Sequence, residues 1–222
     1  MYLLNAATHD PAEELKAKFA VFGHACRILE EAGIPHVMGG GVAVRAYGRT
    51  RPLKDADIFM RQAHAFKAMD VLTARGGFHT RDTDATWLYK ALKGSTLVDI
   101  IVRTTGNIRC TEQTIARARR RELLGHPMLM MGPEDLLFRK IHSHSEGRPD
   151  QFDALSMLKQ PVPDFDWDYF LDLGVATDVR PVLGFMLWAQ SELASDVIPH
   201  GVIRQLTDRL RGAWEQDQRP AA

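Results

Sequence analysis

The sequence predicts an α/β (α+β) protein, in which a small mixed sheet in the front part of the chain is followed by an all-helical C-terminal region. Three observations predict it. Up to about residue 131, short apolar runs bounded by glycine turns alternate with amphipathic stretches, the mark of strands mixed with helices. Beyond that point only helical spacing recurs, with no convincing strand. A chain of 222 residues suits one ordinary domain or two small ones, so the expected division is 1–131 and 132–222.

In chain order, residues 11–32 carry apolar side chains at helical spacing (Leu15, Phe19, Phe22, Ala25, Cys26, Leu29), with Asp10 as expected N-cap, Pro11 in the first turn and Gly33 as the stop. Residues 34–38 are a short apolar run ending in Gly39, Gly40 and Gly41, after which Val42, Ala43, Val44 and Ala46 begin a helix that Gly48 ends. This reads as strand, glycine turn, helix. Residues 57–60 read as a strand, 63–74 as a helix, and 87–92 and 96–102 as two more strands, among the turn signals Gly76-Gly77 and Gly94-Ser95. Residues 111–121 have helical spacing, with Arg117, Arg119, Arg120 and Arg121 gathered where they suit the helix dipole, so a solvated helix end is the simplest reading. Pro133, Glu134 and Asp135 open a helix to about residue 145, and 151–158 continue it in character. After the break at 160–164, residues 167–173, 180–193 and 198–216 are helical in spacing, and a polar tail closes the sequence.

Composition excludes several classes. The 28 Lys and Arg balance 28 Asp and Glu, which argues against a general coat for nucleic acid, although local basic patches are allowed. The longest apolar stretches, 97–102 and 182–189, fall short of the ~20 residues of a membrane helix, and the first residues lack a basic region leading into an apolar core. Cys26 and Cys110 are too few for a disulfide framework and fit a reduced, cytoplasmic chain.

Chemistry concentrates between residues 37 and 60. Side chains alternate along a strand, so Asp55 and Asp57 project to the same side. Two carboxylates that close repel unless a cation lies between them, and an oxygen-only set of high charge suits Mg²⁺ or Mn²⁺. A third acid, Asp99, interrupts the apolar run Leu97-Val98-Asp99-Ile100-Ile101-Val102, where an unpartnered carboxylate is expensive to desolvate and calls for an arginine or a metal. Upstream, Gly39, Gly40 and Gly41 offer backbone N–H groups to an anion, with a helix N-terminus behind them and without the Gly-Lys-Ser/Thr ending of a P-loop. Arg45, Arg49, Arg51 and Lys54 lie between glycines and acids, where they can hold polyphosphate oxygens or stand as surface charges.

Glycine turn, helix, basic loop, Asp-x-Asp and a later lone Asp, in that order, resemble the nucleotidyltransferases of the DNA polymerase β-like superfamily. The closer resemblance is to AbiEii-like toxins and related uncharacterised bacterial nucleotidyltransferases, carried by Gly40-Gly41-Val42-Ala43-Val44, Tyr47-Gly48 and Arg51-Pro52-Leu53-Lys54-Asp55-Ala56-Asp57. It extends loosely to the segments 133–140 and 148–153; Leu53, where the family usually has Thr or Ser, and Gln151 depart from its pattern. The resemblance implies that an acceptor hydroxyl attacks the α-phosphate of a nucleoside triphosphate and expels pyrophosphate. It implies Asp55, Asp57 and Asp99 as catalytic residues and ligands of Mg²⁺ or Mn²⁺, with Asp99 as general base. Gly39, Gly40, Gly41, Arg51 and Lys54 are then the nucleotide-binding residues, with Lys140 a further triphosphate candidate. The acceptor is left open between tRNA, a protein and a small molecule, and the toxin likeness implies an antitoxin partner.

Other readings are weaker. His142 and His144 with Asp150 and Asp153 suggest a histidine-aspartate metal site, but residues two apart on a helix point away from each other, and helix-end histidines in solvent are the simpler account. Trp167, Phe170, Phe185, Leu187 and Trp188 have the spacing of core positions. The alternative function is a catalytically silent nucleotidyltransferase fold serving as a binding module, against which the retained Asp99 argues.

Overall fold

The structure, a computed structural model, describes residues 10–81, 83, 85–143, 149–160, 162–174, 178–194 and 197–217. It divides into two compact units, Met1–Gly132 and Pro133–Ala222.

The first unit opens with α1 (Ala12–Glu31), which buries Leu15, Phe19, Phe22, Ala25, Cys26 and Leu29, the stripe that the spacing predicts. Its start differs from expectation, because Asp10 does not cap it; the N-cap position is Pro11, with no side-chain hydrogen bond. Asp10 instead accepts the N–H of Leu53 at 2.9 Å and the Lys18 ammonium at 3.1 Å, and Lys18 also donates to the Leu53 carbonyl at 2.7 Å. A distant backbone N–H with no other ladder partner outcompetes the first-turn amides, which water can satisfy. Both backbone groups of Leu53 are thus clamped, and its side chain is buried.

Next come β1 (Val37–Met38), α2 (Gly40–Ala46), β2 (Asp55–Phe59), α3 (Gln62–Gly76), β3 (His79–Arg81), β4 (Leu88–Lys93) and β5 (Thr96–Ile101). A small ribbon of β6 (Arg103–Thr104) and β7 (Ile108–Arg109) precedes α4 (Glu112–Ala116), β8 (Arg119–Leu123) and β9 (His126–Met130). The main sheet has seven strands in the order β3-β4-β5-β2-β1-β9-β8. The pairs β2/β5 and β1/β9 are parallel and the others antiparallel, which makes the sheet mixed, as the sequence predicts.

The largest departure lies at residues 111–121. The expected single helix is only α4, which Thr111 and Thr114 cap reciprocally, and the chain then turns into strand β8. Strands β8 and β9 form a hairpin closed by Leu124 and Gly125, whose φ values of 50° and 80° are the paired left-handed conformations of a type I′ turn. Met130 pairs with Met38, and the Met131 N–H donates to the Met38 carbonyl at 2.8 Å, so the apolar face of β9, Met128 and Met130, closes over the core. That burial outweighs the helical tendency of the arginine-rich stretch. Arg119 and Arg121 consequently share one face of the edge strand β8 and Arg120 the other, where it pairs with Glu30 at 3.2 Å. Charge on an edge strand discourages pairing with other chains.

The second unit comprises α5 (Pro133–His142), α6 (Asp150–Lys159), α7 (Trp167–Leu173), α8 (Val179–Glu192) and α9 (His200–Asp217), with no strand among its described residues. Helix α5 is buried along its whole length. Three of its polar residues have partners within the unit: Glu134 accepts the Asp166 N–H at 2.9 Å, Asp135 accepts the Tyr169 hydroxyl at 2.7 Å, and Lys140 meets Asp150 at 2.6 Å and Asp153 at 3.0 Å. These bonds tie α5 to α6 and α7, around a core in which Phe138 meets Phe170 edge to face.

Three outcomes test this account. Replacing Lys140 by Met takes the ammonium away from the buried Asp150 and Asp153, so K140M should lose about 3–5 kcal/mol of unfolding free energy in urea. Leu124→Asn suits the left-handed turn better and should add about 1 kcal/mol. Burial pushes the Asp10 carboxyl up, but the Leu53 N–H and Lys18 outweigh it and hold it below its ordinary 3.8. A depressed carboxyl stabilises the fold above its unfolded pKa and ceases to as pH falls through the folded value, so the Tm gap between wild type and D10N should narrow from about pH 5 to pH 3.

Candidate active site

Strand pairing assembles the candidate site. In the parallel pair β2/β5, Asp57 lies opposite Asp99 and Asp55 opposite Leu97, which places the three acids on one face of the sheet. On the other side of β5, antiparallel β4 sets Lys90 opposite Asp99. The Lys90 ammonium donates to both Asp99 oxygens, at 3.0 and 2.9 Å. Asp99 is buried, whereas Asp55 and Asp57 are half-buried. Burial pushes the Asp99 carboxyl above its ordinary 3.8; Lys90 pulls it back, and the charge of Asp55 raises it further.

The antiparallel pair β1/β2 brings the glycine turn against the same acids. The Gly39 N–H donates to the Asp57 carbonyl at 2.8 Å. Gly40 has a φ of 53°, and a Cβ there would lie 1.6 Å from Asp57 Oδ2, so conformation and space both demand glycine. A Cβ on Gly41 would lie 2.8 Å from an Arg51 nitrogen, and one on Gly39 would enter the Phe59 ring. The glycine turn, Asp57 and Arg51 are therefore brought together, with Arg51 also donating to the Pro52 carbonyl at 3.1 Å. Lys54 stands exposed, one residue before Asp55. Helix α2 is short, and the Tyr47 hydroxyl just beyond it donates to the Met131 carbonyl at 2.7 Å, which holds the turn and helix against the end of β9.

Among the described residues, no three Asp, Glu, His or Cys side chains converge closely enough to cage a metal ion. The donor set nevertheless suits Mg²⁺ or Mn²⁺. Such ions are commonly held by one or two carboxylates with substrate phosphates and water completing the shell, and Asp55 and Asp57 offer that pair beside the glycine turn. Both oxygens of Asp99 are engaged by Lys90.

Other residues named from the sequence belong to the second unit. Lys140 is committed to Asp150 and Asp153 in the helical unit. His142 is buried rather than solvated: its Nδ1 bonds the Phe138 carbonyl at 2.9 Å and its ring packs 4.4 Å from that of Phe138. His144 lies outside the described residues. Phe170 and Phe185 are core, while Leu187 is exposed.

Sequence reasoning missed Lys90 and Lys18, gave Asp10 a different role and gave Tyr47 only a place in a motif. For Lys90 a signal existed, because a two-residue turn at Gly94-Ser95 determines the β4/β5 register, and counting outward from it sets residue 90 against residue 99. No local pattern announces that Asp10 reaches Leu53.

The model of a family described as nucleotidyl transferase of unknown function (DUF2204) matches residues 18–180. No curated protein matches. An antigenic nucleotidyltransferase-like protein from Paracoccidioides brasiliensis superposes with a TM-score of 0.52 and 17% identity over 86% of this chain and 94% of that one. The protein ANT(2")-Ia, solved with adenylyl-2"-tobramycin, has a TM-score of 0.47 and 17% identity over 87% of this chain and 99% of that one. The lincosamide antibiotic adenylyltransferase LnuA, solved with lincomycin, has 0.45 and 16% over 68% and 98%. At these identities the first likeness is one of fold. The family match spans the glycine turn, Asp55, Asp57, Asp99 and helices α5 to α7 of the helical unit, and the chain belongs to this family of nucleotidyl transferases of unknown function.

Proposed function

We propose that the protein is a metal-dependent nucleotidyltransferase that moves a nucleoside monophosphate from a nucleoside triphosphate to an acceptor hydroxyl. The observation that carries this reading is the in-register pair Asp57 and Asp99, with Asp55 on the same face and the Gly39-Gly40-Gly41 turn packed against Asp57.

In this reading Asp55 and Asp57 hold Mg²⁺ or Mn²⁺. The bound ion supplies Lewis-acid stabilisation of the triphosphate and acidifies the acceptor hydroxyl. The amides of Gly39, Gly40 and Gly41 bind the β- and γ-phosphates, and Arg51 and Lys54 neutralise their oxygens. Asp99 accepts the acceptor's proton, a role that suits a carboxyl whose proton affinity burial has raised. The acceptor oxygen forms a bond to the α-phosphorus, the bond from that phosphorus to the bridging oxygen breaks, and pyrophosphate leaves with the electron pair.

The acceptor is a hydroxyl of tRNA, a protein or a small molecule, and the toxin likeness adds an antitoxin as a partner. Cys26 and Cys110 are buried and not joined in a disulfide, burial pushing Cys26 up to about 12, which suits a reducing compartment and the cytoplasm as location. No described helix is long and apolar enough to cross a membrane.

The test is incubation with each of the four labelled triphosphates and Mg²⁺, with total RNA, a mixed protein fraction or an aminoglycoside as acceptor. Transfer should appear with one acceptor class, stop with EDTA and with D55A/D57A, and fall by about 10²–10⁴-fold in D99N while triphosphate binding persists. Absence of transfer and of any triphosphate-induced rise in Tm would overturn the reading. Undiminished transfer in D99N would remove Asp99 from its role.

A further inference from the structure

We propose that Lys90 is a resident cation of the carboxylate site: it competes with divalent metal for Asp99 and limits the chain without nucleotide to one metal ion, held by Asp55 and Asp57. The inference rests on the metal-dependent reading above.

Three features support it. The pairing of Lys90 with Asp99 follows from strand register, not from a chance meeting of surface side chains. Lys90 engages both carboxylate oxygens, at 3.0 and 2.9 Å, so a metal can take Asp99 only by displacing an ammonium. The pair is sheltered, with 24% of the Lys90 side chain and 8% of the Asp99 side chain exposed, so solvent and salt screen it less than a surface pair.

Charge balance gives the consequence. The Lys90 ammonium and one divalent ion already match the charge of the three carboxylates, and the Arg51 guanidinium stands beside the glycine turn as well. A second divalent ion leaves the cluster positive until a triphosphate arrives with its own negative charge. Lys90 thereby couples entry of a second ion to entry of the nucleotide, and acts as a positioning residue for Asp99 in the meantime.

The test counts Mn²⁺ bound to the full chain without nucleotide, by electron paramagnetic resonance of the free ion. Wild type and K90R should each bind one ion. K90M, in which Asp99 is released, should bind a second. K90M/D99N, which removes the cation and its carboxylate together and so leaves the local charge unchanged, should keep the single ion with affinity close to wild type, because neither residue contributes to it. A K90M protein that binds one ion with unchanged affinity would overturn the role of Lys90 and leave the metal reading standing. So would a K90M/D99N protein whose single ion is weakened by about tenfold or more. If circular dichroism shows that K90M does not fold, the K90M/D99N arm decides. Failure of wild type, K90R and K90M alike to bind Mn²⁺ would sink the metal reading and this inference together.

Discussion

The register across β4, β5 and β2 is the constraint on which the first unit depends. It sets Lys90, Asp99 and Asp57 abreast on one face, while Val98 and Ile100, alternating with Asp99, are wholly buried. A slip of one residue would send the carboxylate into the apolar layer and the apolar side chains out of it. Burying an unpaired carboxylate costs several kcal/mol, so Lys90 both compensates Asp99 and penalises every alternative register. The glycine turn inherits its position from this arrangement. It lies against Asp57 because β1 pairs with β2, and Gly40 tolerates that closeness because it lacks a side chain.

The two units use similar chemistry for different ends. In the helical unit Lys140 meets Asp150 and Asp153, and in the sheet unit Lys90 meets Asp99 beside Asp55 and Asp57. By residue type alone, both are lysines among acids. Accessibility separates them. The side chains of Asp150 and Asp153 are 2% and 0% exposed, which suits a lock between helices, whereas Asp55 and Asp57 are half-buried. Part of the Pro133–Lys140 segment thus has a structural use visible in this chain, joining α5 to α6 and α7.

Leu53 illustrates how a departure from the pattern that the toxin resemblance implies can be accommodated. Where the resemblance leads one to expect Thr or Ser, this chain has an apolar side chain packed in the core, and its backbone is held by Asp10 and Lys18 from the start of α1. The loop that delivers Asp55 is anchored by these long-range bonds.

Much was legible in the sequence because its signals are local. The stripe of α1, the strand–glycine–helix order, the Asp-x-Asp spacing, the lone acid in an apolar strand and the helical rear unit each arise within about a dozen residues, where period and turn chemistry decide. Even the partner of Asp99 was implicit in the turn at Gly94-Ser95. What only the tertiary structure decided lies where distant groups compete with local ones. Asp10 serves Leu53 instead of its own helix, and the arginine-rich stretch becomes strand β8 because pairing β9 with β1 buries Met128 and Met130. His142 turns inward to Phe138. In each case the deciding energy comes from desolvation and from partners remote in sequence or hidden in the core, and the order of residues along the chain does not carry that information.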